Sequence, residues 1–151
     1  MKQEYTLDYL FICYANVGRS QIAEGIYNHY IPEKSISAGI ADFKEKYHSK
    51  PHPGVIRVMN ERGIDISHQQ IKILTQEMVK QAKQIVTFHN INKCPEYIKN
   101  SSKTMYIMIE DPGIKVSGPE HINENILQDF RNTRDKIEQV IYNLISGKSI
   151  K

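Results

Sequence analysis

The sequence predicts an α/β fold in which a four-stranded parallel sheet is flanked by helices in a single domain. Two observations support this fold class. Four short, apolar, β-rich segments alternate with segments of helical periodicity, and such alternation builds parallel sheets that are covered on both faces. The 151 residues are also enough to bury one core without disulfides or a metal. We therefore expect residues 1–151 to form one domain.

The first half of the chain contains two predicted strands and two predicted helices. Residues 5–12 are apolar and β-rich and predict the first strand. Apolar residues at positions 22, 23, 26, 27 and 30 have helical spacing, and Pro32 closes this helix. Residues 34–38 predict a second strand that ends at Gly39. Apolar positions 55, 56, 58 and 59 predict a second helix, which ends at Arg62-Gly63.

The second half repeats this alternation. Thr75 is a predicted N-cap for a short helix, and residues 84–88 and 104–109 predict the third and fourth strands. Apolar positions at helical spacing from residue 123 to residue 145 predict a long closing helix. That helix is either continuous or broken near Asn132.

Charge and cysteine content exclude several classes of function. The 20 Lys and Arg residues against 17 Asp and Glu leave a formal charge of only +3, and this argues against nucleic-acid or membrane binding. No apolar run approaches the length of a membrane span, and the N-terminus lacks the apolar core of a signal peptide. Two cysteines form neither a disulfide framework nor a zinc site. We expect a cytoplasmic protein with both thiols reduced.

The segment CYANVGRS, residues 13–20, joins the first strand to the first helix. A loop that curls into a helix N-terminus directs successive backbone N–H groups inward and forms an anion-binding nest. The same positive potential favours the thiolate of Cys13, and the planar fork of Arg19 can bind two oxygens of a phosphate-like anion. The substrate-binding residues predicted on this loop are Tyr14, Ala15, Asn16, Val17, Gly18 and Ser20.

Three of these residues have individual functions. Asn16 can brace the loop through side-chain hydrogen bonds, Gly18 tolerates a tight cradle, and the Ser20 hydroxyl can donate to the thiolate. Alone, Cys13 would be interpreted as a small buried residue and Ser20 as an ordinary N-cap. The whole combination in a strand-loop-helix context favours a sulfur nucleophile facing a bound oxyanion.

The order Cys, five residues, Arg, Ser near the N-terminus resembles the low-molecular-weight protein tyrosine phosphatases and the related arsenate reductases. The resemblance continues through Ser37-Ala38-Gly39, His52-Pro53, residues 63–67 and Asp111-Pro112, and so covers nearly the whole chain. It implies the four-stranded parallel sheet, no metal or other cofactor, and Asp111 as a general acid above the Cys13 loop.

Phosphate ester cleavage independently needs an acid, because expelling an alkoxide or phenoxide is slow unless the leaving oxygen is protonated. Asp111 follows the fourth predicted strand and therefore lies at the ligand-binding edge of the sheet. Without the resemblance, Asp-Pro would be interpreted as a turn. Glu110 is the second choice for the acid.

Two loop residues depart from the family pattern, and one aromatic pair has two possible functions. Ala15 stands where a glycine is usual in the phosphatases, and Gly18 replaces the second loop cysteine of many members. Phe43 and Tyr47 follow Gly39 in a polar loop. They form either the aromatic wall of a phosphotyrosine slot or the anchors of a surface loop.

The predicted activity is hydrolysis of a phosphotyrosine protein or a small aryl phosphate through a cysteinyl-phosphate intermediate, at a site that also accepts phosphate, arsenate or vanadate-like oxyanions. The alternative is arsenate reduction, with thioredoxin or a small external thiol as reductant. Cys94 lies about where a thioredoxin-linked reductase has one of its further cysteines, but His89 occupies the other position. A third class is a non-catalytic oxyanion-binding module.

Overall fold

The computed structural model describes residues 4–112 and 118–147, and its strands form one parallel sheet. The strands are β1 (Leu7–Cys13), β2 (Ser35–Gly39), β3 (Ala82–Thr87) and β4 (Thr104–Tyr106). Their order across the sheet is β2-β1-β3-β4. Every pairing is parallel. The predicted fold class is confirmed.

Five α-helices accompany the strands in the described part of the chain, together with a short 3-10 helix at Ile91–Lys93. The α-helices are α1 (Arg19–Tyr30), α2 (Pro53–Asn60), α3 (Gln76–Gln81), α4 (Glu96–Lys99) and α5 (Glu124–Ser146). Thr75 caps α3 by accepting a hydrogen bond from the Met78 N–H, as predicted. None of these helices is long and apolar enough to cross a membrane.

One sequence-based expectation needs correction, one helix was not predicted, and one open alternative is decided. Strand β4 ends at Tyr106 and does not continue to Ile109. Helix α4 was not predicted because its four residues are too few to show a period. Helix α5 is not broken near Asn132, since buried side chains on both sides of that residue, such as Phe130 and Thr133, keep it packed on the core.

The alternating side chains of β1 bury two separate cores. Phe11 contributes to a large cluster with side chains of α1, α2 and α5. Leu10 and Ile12 point to the opposite face, where they pack with Cys94 and Ile98. Because both faces are buried, β1 is apolar along its whole inner length, as expected of a central parallel strand.

The carboxyl edge of the sheet determines where a ligand can bind. Strand β1 ends at Cys13, which pairs with Gly39 at the end of β2. The chain leaves β3 through Phe88 and leaves β4 toward Asp111 at the same edge, and the Ile109 N–H donates to the Phe88 carbonyl at 3.2 Å. In open parallel sheets, this edge is the usual place for a binding site.

Candidate active site

Cys13 is surrounded by hydrogen-bond donors. The backbone N–H of Asn16 donates to its Sγ at 3.3 Å, and the Ser20 Oγ lies 2.9 Å from the same sulfur. Asn16 has a left-handed backbone, with φ of 58°, and this turns its N–H toward the sulfur. Each of these contacts stabilises a negative charge on Cys13.

The buried side chain of Asn16 holds the loop together. Its Nδ2 donates to Ser20 Oγ at 2.7 Å and to Ser37 Oγ at 2.9 Å. Its Oδ1 accepts from Gln21 Nε2 at 3.0 Å and from the Lys72 N–H at 2.8 Å. Because Ser20 Oγ accepts from Asn16, its own hydrogen is available to point at the Cys13 sulfur.

Arg19, the first residue of α1, is buried and oriented by two backbone carbonyls. Its Nη1 donates to Ile109 O at 3.0 Å and to Phe88 O at 3.3 Å. Its Nη2 lies 3.9 Å from Asp111 Oδ2. Since Nη1 is held by two backbone carbonyls beyond the ends of β3 and β4, the Nη2 side of the guanidinium faces Asp111.

Cys13, Arg19 and Asp111 line one cleft. Its remaining lining residues are Ala15, Val17, Gly18, Phe43 and Tyr47. The structure therefore brings together the three predicted catalytic side chains and five of the predicted binding residues. Asn16 and Ser20 lie behind the loop, where they contact one another and Cys13.

The two aromatic residues of the loop after β2 belong to this cleft. Tyr47 is buried, Phe43 is partly buried, and their ring centroids are 6.5 Å apart. Burial, together with the charges of Asp111 and Glu120, raises the pKa of Tyr47 to about 12. Of the two explanations for this pair, the geometry favours an aromatic wall.

Two predicted residues lie in neighbouring cavities. Tyr14 lines a cavity that also contains Lys93 and His89 and that shares Arg19 and Asp111 with the main cleft. Glu110 is exposed and lines a groove beside α5 with Asp129 and Lys136. Asp111 lines this groove as well, but of the two carboxylates only Asp111 also lines the cleft with Cys13.

Cys94 has a different environment. Its Sγ lies 3.8 Å from Thr87 Oγ1 and 3.7 Å from His89 Nε2, within the apolar cluster on the second face of the sheet. Burial raises the pKa of this thiol, and the hydrogen bond to Thr87 and the charge of Lys99 oppose the shift only in part. Both cysteines are free thiols.

Two residues that support the site had no function assigned from the sequence. The Ser37 hydroxyl accepts from Asn16 and donates to Glu24 Oε1 at 2.6 Å. His52 is fully buried and caps α2. A serine inside an apolar strand and a histidine before a helix-starting proline are the signals that could have identified them.

Comparisons with known proteins agree with this geometry. Residues 8–151 match the family model of the low molecular weight phosphotyrosine protein phosphatases. An arsenate reductase from Halalkalibacterium halodurans is 33% identical over 131 residues, which cover 84% of this chain and 86% of that protein.

Two solved structures are similar in three dimensions. A low molecular weight protein tyrosine phosphatase from T. tengcongensis has a TM-score of 0.74 at 23% identity, covering 93% of this chain and 99% of the other, and this shows a shared fold. An arsenate reductase in the phosphate-binding state has a TM-score of 0.70 at 26% identity, covering 95% of this chain and 99% of the other.

Proposed function

Because the chain belongs to the low molecular weight phosphotyrosine protein phosphatase family, we propose that it hydrolyses phosphotyrosine and other aryl phosphate monoesters. The family and its arsenate reductase relatives are cysteine-dependent enzymes, and so is this chain. The observation that best supports the proposed substrate class is the cleft that combines Cys13, Arg19 and Asp111 with Phe43 and Tyr47. The presence of two free thiols is compatible with action in the cytoplasm.

Binding depends on the loop and on Arg19. The non-bridging phosphate oxygens accept hydrogen bonds from backbone N–H groups of the loop other than that of Asn16, which donates to Cys13 Sγ, and from the Nη2 edge of the Arg19 guanidinium. The phosphoryl group becomes the partner of Arg19 and releases Asp111 from its 3.9 Å contact with Nη2. The aryl ring then lies against Phe43 and Tyr47.

The reaction has two steps. The Cys13 thiolate attacks phosphorus in line, the ester P–O bond breaks, and the carboxyl proton of Asp111 passes to the leaving oxygen. Water then attacks phosphorus while the Asp111 carboxylate takes its proton, the P–S bond breaks, and phosphate is released. The Ser20 hydroxyl, 2.9 Å from Cys13 Sγ, stabilises the departing thiolate.

The test compares two substrates with leaving groups of different quality. Asp111→Asn should lower kcat/KM for phenyl phosphate by about 10²–10⁴-fold, because a poor leaving group depends on protonation. The loss should be much smaller for p-nitrophenyl phosphate. Glu110→Gln is the matched control and should behave as the parent with both substrates. An equal loss for both substrates in Asp111→Asn, or the larger loss in Glu110→Gln, would contradict the assignment.

Arsenate reduction is the second candidate, and the similarity to arsenate reductases together with Cys94 favours it. In that reaction Cys13 forms a thiol adduct with arsenate. Cys94 or a small external thiol then attacks the Cys13 sulfur, and arsenite leaves with the electron pair of the broken S–As bond. The resulting disulfide is reduced by thioredoxin or by the external thiol. The buried, protonated state of Cys94 is unfavourable for this attack.

A kinetic experiment separates the two activities. If the protein is a phosphatase, arsenate should inhibit aryl phosphate hydrolysis competitively, and arsenate-dependent oxidation of thioredoxin should be absent or very slow. Arsenate turnover that is lost in Cys94→Ser, while phosphate ester hydrolysis survives, would establish the reductase instead.

A further inference from the structure

His52 lies outside the cleft but contacts the structures on both sides of it. Its side chain is completely buried. Its backbone N–H donates at 3.0 Å to the carbonyl of Val17, which belongs to the Cys13 loop. Its ring Nε2 is 3.2 Å from the carbonyl of Gly118, seven residues beyond Asp111 in the sequence. His52 thus joins the Cys13 loop to Gly118.

The hydrogen bonds of the ring require one protonation state. Nδ1 accepts from the Gly54 N–H at 3.0 Å and must therefore carry no proton. The partner of Nε2 is a carbonyl, so Nε2 must carry the proton and donate it. Burial lowers the pKa of His52, and this favours the same neutral ring.

The His52 ring also packs against two aromatic rings. Its centroid lies 4.9 Å from the ring of Phe130 in α5 and 5.7 Å from the ring of Tyr47. Tyr47 lines the cleft beside Asp111, whose charge contributes to the raised pKa of Tyr47. Tyr47 therefore links the His52 ring to the cleft that contains the acid.

We propose that His52 is a positioning residue that keeps Asp111 in register with the Cys13 loop. It does so through its bond to Val17 and its packing against Tyr47, which lines the cleft together with Asp111, while the bond to Gly118 fixes the orientation of the ring. The inference rests on the proposed phosphatase function. It predicts that His52 matters for substrates whose leaving group needs a proton, because a misplacement of about 1 Å can cost a catalytic group about 100-fold in rate.

Two substitutions separate the contacts of the ring. His52→Asn keeps an acceptor for the Gly54 N–H, since asparagine is a favoured N-cap, but its shorter side chain cannot reach the Gly118 carbonyl. His52→Gln places an amide donor near the position of Nε2. His68→Asn is the matched control, because His68 is exposed and lies outside the cleft. His52→Ser, which also supplies an N-cap, replaces His52→Asn if that variant does not fold.

The readout is kcat/KM for phenyl phosphate and p-nitrophenyl phosphate, together with the inhibition constant of inorganic phosphate. His52→Asn should lower kcat/KM about 10- to 100-fold for phenyl phosphate. It should change the value for p-nitrophenyl phosphate and the phosphate inhibition constant by less than about 3-fold, because Cys13 and Arg19 are untouched. His52→Gln should recover most of the loss.

Other outcomes would overturn the inference. An equal loss with both substrates, or a weakened phosphate inhibition constant, would mean that His52 only supports the fold. Parent-like activity of His52→Asn with phenyl phosphate would mean that the contacts to Gly118 and Tyr47 do not position the acid. Activity of the parent on p-nitrophenyl phosphate is established first. A parent protein without this activity would contradict the proposed phosphatase function and would not bear on the role of His52.

Discussion

The two cysteines of the chain are almost equally buried, yet their surroundings differ in chemistry. The relative exposure is 2% for Cys13 and 5% for Cys94, so access to water does not distinguish them. Cys13 faces a backbone N–H and a hydroxyl whose own acceptor position is occupied by Asn16. Cys94 lies in an apolar cluster, at 3.7–3.8 Å from one hydroxyl and one imidazole nitrogen.

We infer that hydrogen-bond donors, and not exposure, make the two thiols chemically different. Hydrogen-bond donors replace the water contacts that a buried sulfur has lost, and they favour the thiolate over the thiol. Where the polar neighbours lie farther away, as at Cys94, desolvation dominates and raises the pKa of the thiol. The loop around Cys13 is therefore suited to a nucleophile, whereas the environment of Cys94 is suited to a packed neutral thiol.

The largest expected effect concerns the nucleophile itself. Cys13→Ser should lower kcat for p-nitrophenyl phosphate by about 10⁴-fold or more, because the covalent step is lost. Cys94→Ser should remain within a few-fold of the parent. Thermal unfolding of both variants checks that each is folded. Comparable losses in the two variants would show that both thiols take part in the chemistry.

The next largest effect is in chemical reactivity. Near neutral pH, iodoacetamide should modify Cys13 at least about 100-fold faster than Cys94, as peptide mass mapping would measure, because the reactive species is the thiolate. Inorganic phosphate should protect Cys13 alone. Modification of Cys94 should increase only at alkaline pH, since burial raises its pKa. Equal modification rates of Cys13 and Cys94 at neutral pH would contradict the proposed difference in thiol reactivity.

The smallest effect tests the hydroxyl beside each sulfur. Ser20→Ala should lower kcat about 10- to 100-fold, since a hydrogen bond to a charged group contributes about 1.5–3 kcal/mol. Thr87→Val removes the corresponding hydroxyl from Cys94 and should leave kcat within about 2-fold of the parent. If Ser20→Ala keeps parent activity, the hydroxyl does not stabilise the leaving thiolate.

Local patterns were sufficient for much of the molecule. The alternation of strands and helices predicted the parallel sheet, and the glycine after α5, with φ of 75°, and Asn123 before it are ordinary helix caps. The loop from Cys13 to Ser20 was also predictable, because its residues are adjacent in sequence and the strand-loop-helix context determines its direction.

Other features depend on contacts between distant parts of the chain. Residues 107–109 are apolar enough for a strand, but the ladder between β3 and β4 ends at Tyr106. The sequence left Phe43 and Tyr47 undecided between a wall and a surface anchor, and packing of Tyr47 against His52 places it in the cleft. Asp111 was assigned only through family resemblance, because Asp-Pro alone is a common turn.

The sequence by itself determined the fold class, the order of the strands along the chain, and the residues that form the oxyanion loop, because periodicity and short-range spacing encode all three. Only the tertiary structure decided that Arg19 is oriented by carbonyls 69 and 90 residues away, and that His52 spans the 66 residues to Gly118. Such bonds depend on where strand ends and loops meet in space. Short-range patterns in a single sequence do not indicate which strand ends and loops will be neighbours in the folded protein.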